Sequence, residues 1–439
     1  MDYKKSPYVI EAKAKDNVGY WLFNTWNRKL KFLNNFEYDD YLIDKIDAKK
    51  LEILIRDSFL IDANTDLKQL GKDVYTTKCL SDRTLFVTIM PTMACNFRCF
   101  YCYEDHDPSR MTSSMQDLVI QAIINKLKEY DSLRIEWFGG EPLLEIETII
   151  NISEKLISYC KENRKSYIAS MTTNGYLLTY NNYFLLKTKC KIMYYQVTID
   201  GIKNEHDQSR PLRDGGGTFD KIITNLKDIK CNEKSSLVKI CIRTNYTTSS
   251  ILHRKEWELY LREVFLDDRK FTYIPKMAWN NYQNESLNKK YLPIEFGSSL
   301  LSLDDQTASH DNFAQALMDL NIVSKGECCY ASKPNTIVIG PNGQLMKCTV
   351  HLNNEINNIG FINSNKKFEI NPINECFWVK ESVDDKCLSC SVFPICLAGG
   401  GCRYRYHRTQ HSCEKEHLNI IRHLNMLPYN SNYIESVWS

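Results

Sequence analysis

The chain has 439 residues, 43% of them hydrophobic and 25% charged, which allows roughly two to four domains and a large core. Its 56 Lys and Arg offset 54 Asp and Glu to a net charge of +2, so no basic excess marks a nucleic-acid footprint. No apolar run reaches membrane-span length, and the opening MDYKKSPYVIEAKAKDN lacks the apolar core of a secretion signal, which predicts a cytoplasmic protein.

In chain order, YVIEAK (8–13) and GYWLFNTW (19–26) read as short strands around a turn. EYDDYLIDKI (37–46) and KKLEILIRDSFLI (49–61) carry apolar residues three and four apart and read as helices. Residues 1–80 therefore predict a small β-then-α module whose sheet edge is able to take a partner strand. From residue 84 the rhythm changes. TLFVTIM (84–90), LRIEWF (133–138), YIASMT (167–172), IMYYQVTI (192–199), LVKICIRT (237–244) and FTYIPKM (271–277) are strand-like, with helical patterns between them. Thr112 is placed to cap the first of those helices, whose apolar face includes Val119 and Ile123. Six alternating units predict a parallel sheet with right-handed crossovers, an open partial barrel spanning 81–310. Chemistry on such a scaffold sits at the C-terminal strand ends. Past residue 280 the rhythm fades, and 311–439 reads as a cysteine-rich segment with little periodic core before a final helical stretch at 414–426.

Seventeen cysteines in a reducing compartment point to metal centres rather than disulfides. Cys95, Cys99 and Cys102 lie within CNFRCFYC, just after the first barrel strand. Cys328, Cys329, Cys348, Cys387, Cys390, Cys396, Cys402 and Cys413 crowd the last quarter. Three thiolates on one short loop would hold three corners of a 4Fe–4S cube and leave one iron open. Zinc would want two C-x2-C pairs, and the tail run that begins with Cys387–Cys390 has no second one.

The pattern C-x3-C-x-aromatic-C after a first strand resembles the radical S-adenosylmethionine (SAM) enzymes. GGEP (139–142), TTNG (172–175) and VTIDG (197–201) fall at the next three strand ends, and HDQSR (206–210) and RTN (243–245) match further positions loosely. The resemblance implies a SAM-binding cluster on Cys95, Cys99 and Cys102, and SAM contacts from Tyr101, Gly139, Gly140, Glu141 and Thr198. The tail resembles the SPASM domain of peptide-modifying members, although the interval from Cys396 to Cys402 is wider than usual. That resemblance implies two auxiliary 4Fe–4S clusters, one on Cys387, Cys390, Cys396 and Cys413. The other would use Cys329, Cys348 and Cys402, with Cys328 as the nearest spare thiol.

Residues 1–80 resemble the winged-helix-like element that binds leader peptides of ribosomal natural products. The whole chain resembles the lysine–tryptophan cross-linking maturases that make streptide. This implies hydrogen abstraction from a lysine β-carbon of a precursor peptide, addition to a tryptophan indole, and a reductant such as flavodoxin or ferredoxin. A proton acceptor near the indole is then expected, and Asp319 in FAQALMDLNIV (313–323) is a candidate. Thioether-forming and formylglycine-forming maturases are the alternatives within the class. A zinc-stabilised binding protein without catalysis is the alternative outside it.

Overall fold

The structure is a computed structural model that describes residues 2–278, 326, 328–380, 383–399 and 413–438, together with Phe313, Leu317 and Leu320. The chain divides into two compact units, one of Met1–Asp82, Leu301–Pro334 and Trp378–Ser439, the other of Arg83–Leu300 and Asn335–Phe377.

In the first unit, β1 (Tyr3–Lys5) pairs antiparallel with β5 (Leu60–Asp62), and β2 (Val9–Lys13), β3 (Gly19–Asn24) and β4 (Leu30–Asn34) form an antiparallel meander. Successive side chains of a strand face opposite ways, and both faces of the meander are covered. Ile10, Ala12, Trp21, Phe23, Leu30 and Phe32 pack with Ile420, Leu424 and Leu427 of the helix Cys413–Asn425 region. Leu22 and Leu33, on the other side, pack with Tyr41 of α1 (Asn35–Leu42) and with Ile53 and Leu54 of α2 (Ala48–Arg56). A third helix, α3 (Leu67–Tyr75), follows an Asp66 cap. Sequence patterning misses β4 because Lys31 breaks the apolar run; here its ammonium is buried and paired with Asp57 at 2.8 Å. It also extends α2 too far: Ser58 takes φ +60, and the following Leu60–Asp62 becomes a strand.

The second unit bears out the partial barrel. Strands β6 (Thr84–Ile89), β7 (Ser132–Trp137), β8 (Ser166–Thr173), β9 (Ile192–Thr198), β10 (Lys239–Tyr246) and β11 (Phe271–Met277) lie side by side in chain order, all parallel. Helices α4 (Ser113–Leu127), α5 (Ile146–Glu162), α6 (Tyr180–Cys190), α7 (Lys203–Ser209), α8 (Phe219–Asn232) and α9 (Arg254–Val264) fill the crossovers. Beyond β6 the sheet continues rather than closing. β12 (Thr336–Ile339) pairs parallel with β6, and β13 (Gln344–Met346), β14 (Asn358–Ile362) and β15 (Phe368–Ile370) add antiparallel strands. All six parallel strands therefore deliver their C-terminal ends to one rim. Among the described residues no helix is long and apolar enough to cross a membrane.

Candidate active site: a three-thiol cavity at the barrel rim

A cavity of about 160 Å³ opens at that rim. Its walls include Cys95, Cys99 and Cys102 from the loop after β6, Gly139 and Gly140 after β7, Asn174 after β8, Thr198 ending β9 and Asn245 near the end of β10. The cysteine loop is held rigidly. Phe97 is fully buried, and backbone bonds run from Arg98 N to Pro211 O at 2.9 Å and from Arg213 N to Asn96 O at 2.9 Å. Asn174 Nδ2 donates to Asn96 Oδ1 at 2.8 Å, tying the TTNG turn to the same loop.

Burial pushes the Cys95 and Cys102 thiols up to about 12, with the Glu141 and Glu104 carboxylates adding to it respectively. Burial also raises Cys99, against the pull of Arg210. In the metal-free chain these thiols stay protonated at neutral pH, so loading iron must release protons. Among the described residues no three His, Cys, Asp or Glu side chains converge on a single ion. Three soft thiols spread along one cavity wall suit a multi-iron cluster, which takes one cysteine per iron.

The GGEP turn packs against the approach to this loop. Gly139 has φ +117, and a Cβ on Gly140 would lie 2.3 Å from Ala94 O and 2.4 Å from Met93 O. Only glycine permits so close a backbone approach. Glu141 is fully buried and does not line the cavity. Its carboxylate accepts from Thr173 Oγ1 at 2.7 Å, Asn174 N at 2.8 Å and Leu143 N at 3.0 Å, joining the ends of β7 and β8.

Tyr101 lines the cavity and centres a buried network. Its hydroxyl donates to Asp200 Oδ2 and accepts from Arg210 Nη1 at 2.5 Å and Asn245 Nδ2 at 3.2 Å. Burial raises the Asp200 carboxyl, against the pull of Arg210. The backbone N–H of Asp200 donates to His206 Nδ1 at 3.0 Å, which leaves the proton on Nε2, 3.0 Å from Thr218 Oγ1. Burial, then Arg210, hold His206 well below its ordinary value and therefore neutral.

Two cavity-lining residues that sequence reasoning missed, Glu104 and His106, lie two and four positions after Cys102. Their closeness to the third thiol was the available signal. Among the described residues, Glu104 Oε2, His106 Nδ1 and Arg210 Nε are buried atoms without a hydrogen-bond partner. Unpaired donors and acceptors in a cavity beside a glycine turn fit a polar ligand such as SAM.

The tail cysteines fall in both units. Cys348 is buried just after β13, with its N–H donating to Asn357 Oδ1 at 2.8 Å. Cys328, Cys329, Cys387, Cys390 and Cys396 are half-buried in the other unit. Cys413 opens the helix Cys413–Asn425. Cys402 and Asp319 lie outside the described residues.

Residues 89–254 match the model of the Radical SAM superfamily. The cysteine-type anaerobic sulfatase-maturating enzyme of Clostridium novyi (strain NT) is 24% identical over 342 residues, 72% of this chain and 88% of that protein. The solved structure of native anSMEcpe with bound AdoMet and Cp18Cys peptide aligns at TM-score 0.56 and 20% identity, covering 78% of this chain and 99% of that one. Streptococcus suis SuiB bound to the precursor peptide SuiA aligns at TM-score 0.43 and 15% identity over 90% of this chain and 94% of that one. With the matched residues, the parallel partial barrel and the three-thiol cavity at its rim taken together, the chain carries a radical SAM domain over residues 89–254.

Proposed function

We propose that this protein is a radical SAM maturase that modifies a ribosomally made peptide. The observation that carries the reading is the cavity shared by Cys95, Cys99, Cys102 and the Gly139–Gly140 turn. The three thiols would hold the SAM-binding cluster, and Tyr101, Gly139, Gly140 and Thr198 would line the SAM site, with Glu141 bracing it from beneath. When bound, SAM and its cluster supply a 5′-deoxyadenosyl radical that takes hydrogen from an unactivated carbon. The chain's own residues orient the ligand and keep bulk water from the reacting carbon.

The reaction we favour joins a lysine β-carbon to a tryptophan indole within one precursor. Joining them removes two hydrogens in total: one hydrogen atom goes to the deoxyadenosyl radical, and a proton and an electron leave as the indole regains aromaticity. The electron would pass to auxiliary clusters on the tail cysteines, and Asp319 would take the proton. A flavodoxin or ferredoxin would supply the electron for SAM cleavage. Support comes from the cysteine pattern of the tail and from the size of the chain. The alignment with anSMEcpe covers nearly all of that protein yet leaves about a fifth of this chain unmatched. That surplus is room for a leader-recognition element.

A second reading, formylglycine formation, is favoured by the relative from Clostridium novyi, which matches over most of its length. The two are separated by product. Anaerobic incubation with SAM and a reductant should convert a leader-bearing peptide containing Lys and Trp to a species two hydrogens lighter. A cysteine peptide that gains a hydrazine-reactive aldehyde would replace the first reading with the second. Protein purified without oxygen should carry about twelve irons per chain, four for each cubane. Zinc without iron would overturn both.

A further inference from the structure

We propose that the N-terminal module is the scaffold of the auxiliary-cluster loop, with Tyr8, Thr25 and Lys78 holding the segment from Cys387 to Cys396 in place by its backbone carbonyls. The inference rests on the reading that the tail thiols bind iron. All of these residues belong to one compact unit, although more than 300 positions separate the two segments in the chain.

Three side-chain donors from the first 80 residues reach this segment. Tyr8 is fully buried, and its hydroxyl donates to Leu388 O at 2.6 Å, between Cys387 and Cys390. Thr25 Oγ1 donates to Ser391 O at 2.6 Å, directly after Cys390. Lys78 Nζ donates to Pro394 O at 2.6 Å, two residues before Cys396, and to Gly326 O at 3.4 Å, two residues before Cys328. Side chains from the first residues thus hold a carbonyl beside each of four tail cysteines.

Packing reinforces the bonds. Tyr8, Val74, Tyr75, Cys79, Leu388, Phe393 and Leu397 form one buried cluster, with Cys328, Cys387 and Cys390 at its edge. A Cβ on Gly71 of α3 would lie 2.6 Å from Leu388 O, so the helix backbone is in direct contact with the loop. Two more ties flank the segment: Lys68 Nζ to Asp385 Oδ2 at 2.5 Å and Tyr75 Oη to Lys380 O at 3.0 Å. After Cys396 the backbone turns through Leu397 and Ala398 at φ +51 and +52, left-handed values that are strained without glycine and persist only where the surroundings impose them.

The physical consequence follows from peptide planarity. The described residues contain no cis peptide bond, so fixing the carbonyls of Leu388 and Ser391 also fixes the N–H groups of Ser389 and Val392. Iron–sulfur sites depend on such second-layer groups, which orient the ligands and tune the potential. Tyr8, Thr25 and Lys78 touch neither substrate nor SAM in this scheme, and are positioning residues.

The test uses the full-length chain purified without oxygen. Wild type is compared with the combined variant Tyr8→Phe, Thr25→Val, Lys78→Met and with Lys78→Arg alone. The combined variant should lose about four irons and four sulfides per chain, one cubane. The signal of the cluster on Cys95, Cys99 and Cys102 should still shift on adding SAM, and Lys78→Arg should keep full iron. Full iron and an unchanged auxiliary-cluster resonance in the combined variant would overturn the inference. Should that variant not fold by circular dichroism, Thr25→Val alone decides: an altered auxiliary resonance supports the inference and an identical one overturns it. A wild-type chain with only about four irons would instead remove the auxiliary clusters themselves, and the inference with them.

Discussion

Gly140 shows how a single residue ties the ligand turn to the cysteine loop. Its N–H donates to Thr92 O at 3.2 Å, and the next N–H, of Glu141, donates to Ala94 O at 2.9 Å. Backbone oxygens occupy the place of any side chain, so Gly140→Ala should cost about 1–3 kcal/mol as an overpacked site. Iron bound at Cys95, Cys99 and Cys102 should fall with it. Tyr101→Phe removes the hydroxyl that links Asp200, Arg210 and Asn245, leaving the Arg210 guanidinium and the Asp200 carboxyl without their shared partner. SAM affinity measured by the cluster's spectral change should weaken at least tenfold, with iron content retained. At this scale the thiols were legible in the sequence because spacing alone betrays them. Glu141 was legible only as part of GGEP. That its oxygens serve Thr173 and Asn174, 32 and 33 residues on, emerges only when β7 and β8 are side by side.

The barrel strands were the most legible elements, each read to within a few residues, because each is a short apolar run bounded by polar turns and followed by a helical period. The same logic located the cap of α4: Thr112 Oγ1 accepts Met115 N–H at 3.3 Å. Thr112→Ala should therefore cost about 1 kcal/mol, read as a lower denaturation midpoint with unchanged m-value. β12 to β15 were illegible for a matching reason. They run three to five residues each, and Lys347, beside β13, is buried with its ammonium donating to Thr336 O at 2.7 Å. A buried lysine reads as surface until its acceptor is known, as it did for Lys31 in β4. Among the missed elements, α3 matters most, since its backbone lies against Leu388. Removing residues 1–80 would strip that support along with any leader-docking surface. Loss of turnover in such a truncation reports on both, and iron content tells them apart.

For the molecule as a whole, acid is the informative perturbant. Glu233, at the end of α8, accepts from Tyr183 Oη and Lys187 Nζ, both at 2.6 Å. Burial raises its carboxyl, but the bonds from Lys187 and Tyr183 win and hold it at about 2, below the ordinary 4.5. The stabilisation is complete above pH 4.5 and is lost as pH falls through about 2. A downward shift of that size corresponds to about 3 kcal/mol. Glu233→Gln should lower stability at neutral pH and flatten its decline between pH 4.5 and 2, measured by denaturant midpoints at each pH. An equal pH slope in both proteins would show that the pair is not coupled to folding.

The return of the chain to its starting module bears on how the protein is made. Trp21 Nε1 donates to Leu427 O at 3.1 Å, and Trp438 Nε1 donates to Phe32 O at 3.0 Å. Both faces of the first meander thus wait for residues 420–438, which the ribosome adds only after the entire barrel. At elongation rates of about 5–20 residues per second, Trp21 and Phe32 stay uncovered for roughly 20–80 s. During that interval the nascent module leaves apolar surface exposed, the condition that makes a partly folded chain prone to aggregate. The barrel, whose strands pair in the order they emerge, should fold first and the older residues last.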